Sequence, residues 1–229
     1  MKEIKVNDKD IVVPGEELAV GMDYIPSTGT YRDGDKIIAA QLGIVNISGR
    51  VIKLIPLSGR YMPKAGDMVI GKVMNMSFSN WAVDIGYAYE AMVSLKDATS
   101  EFIERGADLS KYFDFGDIVA ANIVNVTRSN AVDLSMKGPG LHKLKGGKLV
   151  FVTPSKVPRI IGKQASMINL IKEKTGCKIT VGQNGWVWIQ SDDPKKEMIT
   201  TKVIEYIDEN AHKNGLTDDV SKMLAEELK

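Results

Sequence analysis

Apolar residues in the first part of the chain come in short runs bounded by turn chemistry. Val12-Val13 leads into Pro14-Gly15, a strand closed by a turn. Tyr31-Arg32-Asp33-Gly34-Asp35-Lys36 is a turn-forming stretch ahead of an apolar run from Ile37 to Val45. A second run, Val51 to Leu57, follows Asn46 to Arg50. Both runs are rich in β-branched residues and short enough for strands, and no helix signal interrupts them. Residues 1–65 are therefore predicted to form a small all-β unit. From Gly66 to Lys137 the pattern predicts five strands: Met68–Met76, Asn80–Gly86, Glu90–Val93, Ile118–Val126 and Ala131–Ser135. Ser129-Asn130 makes the tight turn between the last two. The long connection before the fourth strand holds Phe102, Leu109, Tyr112 and Phe113, and has room for one or two helical turns.

After Gly138-Pro139-Gly140, a linker, the period changes. Lys148–Val152 reads as a strand, Val157–Ile161 as a short helix ending at Gly162, and Ser166–Thr175 as a helix. That last helix has Met167, Ile168 and Ile171 at helical spacing and Gly176 as its C-cap. Lys178–Val181 and Trp186–Gln190 read as strands joined through Gln183-Asn184-Gly185, where Asn-Gly signals a hairpin. Pro194–Asn210 is a helix with Met198, Val203, Ile204 and Ile207 on its apolar stripe, and Thr217 is placed to cap a final helix to Leu228. The third section thus has the order β-α-α-β-β-α. The expected architecture is multidomain, β-rich plus α+β: 1–65 a β domain, 66–137 a five-stranded barrel, 141–212 the α/β domain, and 213–229 a helical tail.

At 229 residues the chain suits two or three small domains. No apolar run approaches the roughly 18 residues that cross a bilayer, and no signal core follows Met1-Lys2-Glu3-Ile4-Lys5. With a lone Cys177, no internal disulfide is possible. A cytoplasmic setting is expected. The formal net charge of +1 hides a segregation. Leu141 to Lys178 holds nine basic residues and one acid, Glu173, a net of +8; Asp192 to Lys229 holds ten acids and six lysines, a net of −4. A basic block beside a glycine-containing loop is the footprint of a phosphate-binding surface.

Catalytic chemistry finds little support. His142 and His212 are isolated, and one cysteine excludes zinc sites of the two-Cys-plus-two-His or four-Cys kind. Asp33/Asp35 and Asp192/Asp193 read as turn or cap pairs. The chain carries no phosphate-cradling Walker loop, no nucleophile elbow and no acidic cluster suited to two-metal chemistry. No cofactor and no metal is expected.

Three resemblances organise the rest. Val157-Pro158-Arg159-Ile160-Ile161-Gly162-Lys163-Gln164-Ala165 resembles the clamp of a KH domain, where a loop between two helices grips single-stranded nucleic acid. The expected RNA-binding residues are Lys156, Arg159, Ile161, Gly162, Lys163, Gln164 and Ala165, with Ala165 standing where such loops usually carry glycine. The five-stranded section matches the OB barrel, and Trp81-Ala82-Val83-Asp84-Ile85-Gly86 resembles the S1 RNA-binding domain. Two positions such domains often use for base stacking fall at Ser79 and Ala82, and a histidine position falls at Ser94. Trp81 is expected to pack rather than stack. Lys72, Arg128 and Lys137 are candidate phosphate contacts, and Tyr87 and Tyr89 candidates for RNA or a partner subunit. Trp186 and Trp188 share one face of their strand, either packed on the helices or open, with at least one in a core.

Taken in order, Val12 to Glu16, Ile55 to Tyr61, Gly66 to Gly71, Trp81 to Ile85, Val157 to Lys163 and Val181 to Gly185 resemble the archaeal exosome cap subunit of the S1–KH type. The resemblance implies a non-catalytic subunit, three copies of which sit on a ring of RNase PH-like subunits. The N-terminal domain would dock on the ring, alone or mixed with a zinc-ribbon cap subunit. The cap would capture single-stranded RNA, favouring A-rich 3′ ends, for phosphorolytic 3′-to-5′ degradation. The alternative is a transcription or translation factor carrying S1 and KH modules, although such factors usually carry two KH domains and the chain has room for one.

Overall fold

The computed structural model describes residues 3–99, 108–213 and 215–227. Phe102, and Leu228 at the end of the expected last helix, lie outside them. The chain divides into two compact units, Met1–Gly59 and Arg60–Lys229. No helix among the described residues is long and apolar enough to cross a membrane.

Among its described residues the first unit holds eight short strands: β1 (Glu3–Ile4), β2 (Ile11–Val12), β3 (Glu17–Val20), β4 (Ile25–Pro26), β5 (Thr30–Asp33), β6 (Lys36–Ala39), β7 (Gly43–Ser48) and β8 (Val51–Pro56). They form two four-stranded sheets, β1-β3-β6-β5 and β2-β7-β8-β4. Leu18, Ile37 and Ala39 of one sheet share a core with Val45, Ile52 and Leu54 of the other. The expected strand from Ile37 to Val45 is two strands, because the chain changes sheet at residues 40–42. Gly43 makes the crossing possible: a Cβ there would lie 2.8 Å from the Ile55 carbonyl oxygen. Glu17 bridges Lys5 and Lys36, each at 2.5 Å. Lys36 first, then Lys5, holds its carboxyl down at about 2.

The second unit opens with the expected barrel: β9 (Met68–Met76), β10 (Asn80–Asp84), β11 (Ala91–Ser94), β12 (Ile118–Val126) and β13 (Val132–Ser135). Strand order β13-β11-β10-β9-β12 is closed by a β12–β13 pairing. Among its described residues, the third-to-fourth connection carries a one-turn helix, α1 (Leu95–Ala98), and a 3-10 turn at Leu109–Lys111. Leu109 and Phe113 from this connection are buried in the barrel core. A sixth strand, β14 (Lys143–Leu144), follows the Gly138–Gly140 linker and pairs with the first half of β12, beside the stretch that β13 leaves free.

The KH order is present as read: β15 (Lys148–Phe151), α2 (Val157–Ile161), α3 (Ser166–Thr175), β16 (Lys178–Val181), β17 (Trp186–Gln190) and α4 (Pro194–Glu209), followed by α5 (Leu216–Glu227). The sheet is antiparallel in the order β15-β17-β16. Gly176, at φ 71°, caps α3 and donates its amide to the Lys172 carbonyl. Val150, Ile179, Val187 and Ile189 face α2 to α5 across a core with Ile160, Ile171, Val203, Ile204 and Val220. Two local expectations fail. Met198 is exposed and Ile199 takes its place on the buried stripe of α4, one position further round the helix. Thr217 lies inside α5, which opens at Leu216 because Gly215, at φ 75°, turns the chain and its carbonyl accepts from the Asp218 amide at 3.0 Å.

Trp186 and Trp188 do share a face, but it is neither helix-packed nor open. With Leu149 they lie against Ile70, Ile118, Ala120 and Leu144 of the barrel. The Trp188 indole N–H donates to the Gly146 carbonyl at 2.8 Å. Asn184 in the β16–β17 turn joins the same interface. Its Nδ2 donates to the carbonyls of Ile70 (2.7 Å) and Ile85 (2.9 Å), and its Oδ1 accepts from the Ile70 amide at 3.2 Å. The reason is strand length: β10 pairs with β9 only between Lys72 and Met76. Ile70 is left without a strand partner on that side, and the Asn184 amide acts as a substitute peptide group. The Gln183 amide extends the pairing to the Met68 carbonyl at 2.7 Å.

Candidate nucleic-acid interface

The loop between α2 and α3 keeps an unusual backbone. Gly162 sits at φ 76°, ψ 170°, and a Cβ there would lie 2.6 Å from the Met167 amide nitrogen. Only glycine fits. Gln164 (φ 52°) and Ala165 (φ 62°) are both left-handed, a conformation that costs a residue with a Cβ about 1–2 kcal/mol. Ala165 in the fourth loop position is therefore held in a conformation that favours glycine. The side chains of Ile161 and Ala165 turn inward against the KH core, while Lys163 and Gln164 are exposed.

A cleft of about 340 Å³ runs beside this loop. Arg159, Gly162 and Lys163 line one side, and Lys213, Gly215 and Thr217, around the start of α5, line the other. Three cations face one groove, the arrangement that focuses a field on an anionic backbone. Lys213 escaped the sequence reading because it belongs to the acidic C-terminal stretch, and only the packing of α5 brings it to the loop. Lys156 stands differently. Its ammonium donates to the Asp208 carbonyl at 2.6 Å and lies 3.8 Å from that residue's carboxylate. Asp208 also accepts from the Thr153 amide, so this group ties the end of α4 to the turn before α2.

The barrel candidates are dispersed. Arg128 is exposed in the β12–β13 loop. Lys72 pairs with Asp84 and Ile118 toward the opposite end of the sheet, and Lys137 follows Ser135, which pairs with Asn122. Trp81 is fully buried, edge-to-face with Phe113 at 5.3 Å, and donates its indole N–H to the Phe113 carbonyl at 3.0 Å. Tyr87 packs on the barrel core and meets the exposed Tyr89 edge-on at 6.0 Å. Ala82 is buried, so it offers no stacking surface. Phe78, in the β9–β10 loop, is 100% exposed. The β9–β10 and β12–β13 connections are the first-to-second and fourth-to-fifth loops of the barrel, the pair that flanks the ligand face of OB folds. Phe78 stands one position before Ser79, a position such domains often use for stacking and one that carries no aromatic in this chain, and it is flanked by serines. An aromatic in a polar turn was the available signal.

The architecture defines an S1–KH protein with an added N-terminal β unit. Family profiles agree region by region: an exosome complex exonuclease RRP4 N-terminal region at residues 11–48, an RRP4 S1 domain at 60–125 and a KH domain at 147–195. The exosome complex component Rrp4 of Pyrococcus abyssi is 44% identical over all of this chain and 87% of its own length. That of Methanothermus fervidus is 44% identical over 96% of both chains. A crystal structure described as an exosome complex RNA-binding protein is 35% identical and superposes with a TM-score of 0.67, covering 74% of this chain and 98% of that one. The chain belongs to the Rrp4 family of exosome complex components.

Proposed function

We propose that this chain is a non-catalytic, RNA-binding cap subunit of an archaeal exosome. The observation that carries the reading is the cleft at the Gly162 loop, where Arg159, Lys163 and Lys213 converge within a chain that matches exosome components from end to end. In this role it captures single-stranded RNA 3′ ends, A-rich ones preferentially, and passes them to a phosphorolytic ring of RNase PH-like subunits in the cytoplasm. Three copies sit on each ring, alone or mixed with a zinc-ribbon cap, docked through the N-terminal unit. Grip at the KH loop is electrostatic, through Arg159, Lys163 and Lys213, with Lys156 holding the scaffold. Arg128 and Phe78 extend the surface on the barrel, Phe78 by stacking a base, which contributes about 1–3 kcal/mol.

The test is reconstitution. The full chain should co-purify with ring subunits and raise their affinity for single-stranded RNA, and by itself should not shorten RNA in phosphate and magnesium. Phe78→Ala should weaken RNA binding about 5- to 150-fold, the equivalent of that stacking energy. A chain that neither associates with the ring nor binds RNA rules the reading out.

A further inference from the structure

A second basic groove, of about 560 Å³, opens at the β16 edge of the KH sheet, within the roughly 300–1,000 Å³ of ordinary ligand clefts. Its lysines come from three elements: Lys143 and Lys145 in and after β14, Lys172 in the last turn of α3, and Lys178 on β16. Lys143 is ion-paired with Asp117. Lys145, Lys172 and Lys178 are exposed and have no carboxylate partner among the described residues. Thr180 and Gln190 add uncharged hydrogen-bonding groups, and the described lining holds no acid. The walls are fixed rather than floppy: β14 is paired to β12, Leu144 is buried with Ile70, Ala120 and Trp188, and Trp188 holds the Gly146 carbonyl.

We propose that this groove is a second site for the phosphate backbone of single-stranded RNA, distinct from the Gly162 loop. The loop opens α3 and Lys172 lies in its last turn, so the two sites sit at opposite ends of a ten-residue helix, about 15 Å apart. Three separate ammonium groups around an open trough suit successive phosphates on a strand. They form neither the arginine fork nor the backbone nest that would chelate one free phosphate. The walls need no ordering on binding, so the site acts by charge without an entropic penalty for the linker.

This inference rests on the RNA-binding reading, and the test separates the two. Binding of a 20-nucleotide single-stranded RNA to the full chain is followed by fluorescence anisotropy between 50 and 200 mM salt. The variants are Lys145→Ala/Lys172→Ala/Lys178→Ala, Arg159→Ala/Lys163→Ala, and the two combined. Three lost phosphate contacts lower the log–log salt slope by about 2, so the fourfold rise in salt should weaken the groove variant about 20-fold less than the native chain. On the native chain, the amide resonances of Thr180 and Gln190 should shift with RNA. A native salt slope in the groove variant, or resonances that stay still, overturns the second site while the loop reading stands. A native chain that binds no RNA overturns both. Shifts produced equally by inorganic phosphate or by polyglutamate reassign the groove to a free anion or an acidic peptide and overturn the proposal.

Discussion

Asn184→Ala should uncouple the KH hairpin from the barrel. The side chain makes three hydrogen bonds, one accepted from the Ile70 amide and two donated to the carbonyls of Ile70 and Ile85, both fully buried residues. Each such bond contributes about 0.5–1.5 kcal/mol net, and a buried group left without a partner costs about 1–3 kcal/mol. Together they place the loss near 3 kcal/mol, about 100-fold in a local opening equilibrium. The assay is hydrogen exchange at the Ile70 amide, with the Val73 amide, bonded to the Asp117 carbonyl inside the barrel, as internal reference. Ile70 should exchange about 100-fold faster in the variant, with Val73 little changed. Asn184→Asp discriminates between roles. Asparagine and aspartate serve a turn comparably, so a residue needed only for the hairpin tolerates the change. As a strand substitute it cannot, because the two carbonyls lose their donors and face a carboxylate. Unchanged Ile70 protection in both variants would refute the docking role.

Two further substitutions probe the loop and the N-terminal unit. Ala165→Gly relieves a residue held at φ 62° and should raise stability by up to about 1 kcal/mol, whereas Gly162→Ala, with its Cβ 2.6 Å from the Met167 nitrogen, should lower it; thermal melts of both variants check the signs. Glu17 titrates near 2 in the folded chain, against an ordinary 4.5, so its ion pairs stabilise fully above pH 4.5 and are lost as pH falls toward 2. Glu17→Gln should flatten the acid dependence of melting in that window, and a native-like acid profile in the variant would count against the bridge.

What was legible in the chain is what local pattern decides. The nine-residue strand Ile118–Val126 and the helix Ser166–Thr175 fall where periodicity and the Gly176 cap put them. Parity also placed Trp186 and Trp188 on one face, but parity says nothing of what covers that face, and the cover comes from β9, β12 and β14. Asn184-Gly185 has the chemistry of a turn whether or not the amide side chain has other work, and its partner Ile70 is 114 residues away. Charge counting had the same limit. It placed Lys156 in the basic block without seeing Asp208 beside it, and it left Lys213 in the acidic tail.

The covered sheet face also bears on how the two modules would bind RNA under the proposed function. A KH domain joined to the barrel only by a Gly-Pro-Gly linker would move freely, and RNA held by both would meet the entropy of ordering that linker. Here Asn184, Trp188 and β14 remove that freedom before RNA arrives. Phe78 on the barrel and the Arg159–Lys163 cleft are thus at a fixed separation. Under the proposed function each would grip RNA weakly alone, one having a single exposed aromatic in place of a stacking platform and the other a loop with alanine in its fourth position. A strand long enough to reach both binds the second site intramolecularly, at a high effective concentration that a rigid spacing preserves and a flexible one dilutes. Affinity should therefore climb in a step once RNA length spans the pair. Asn184→Ala should blunt that step without changing the affinity of RNA too short to reach both sites.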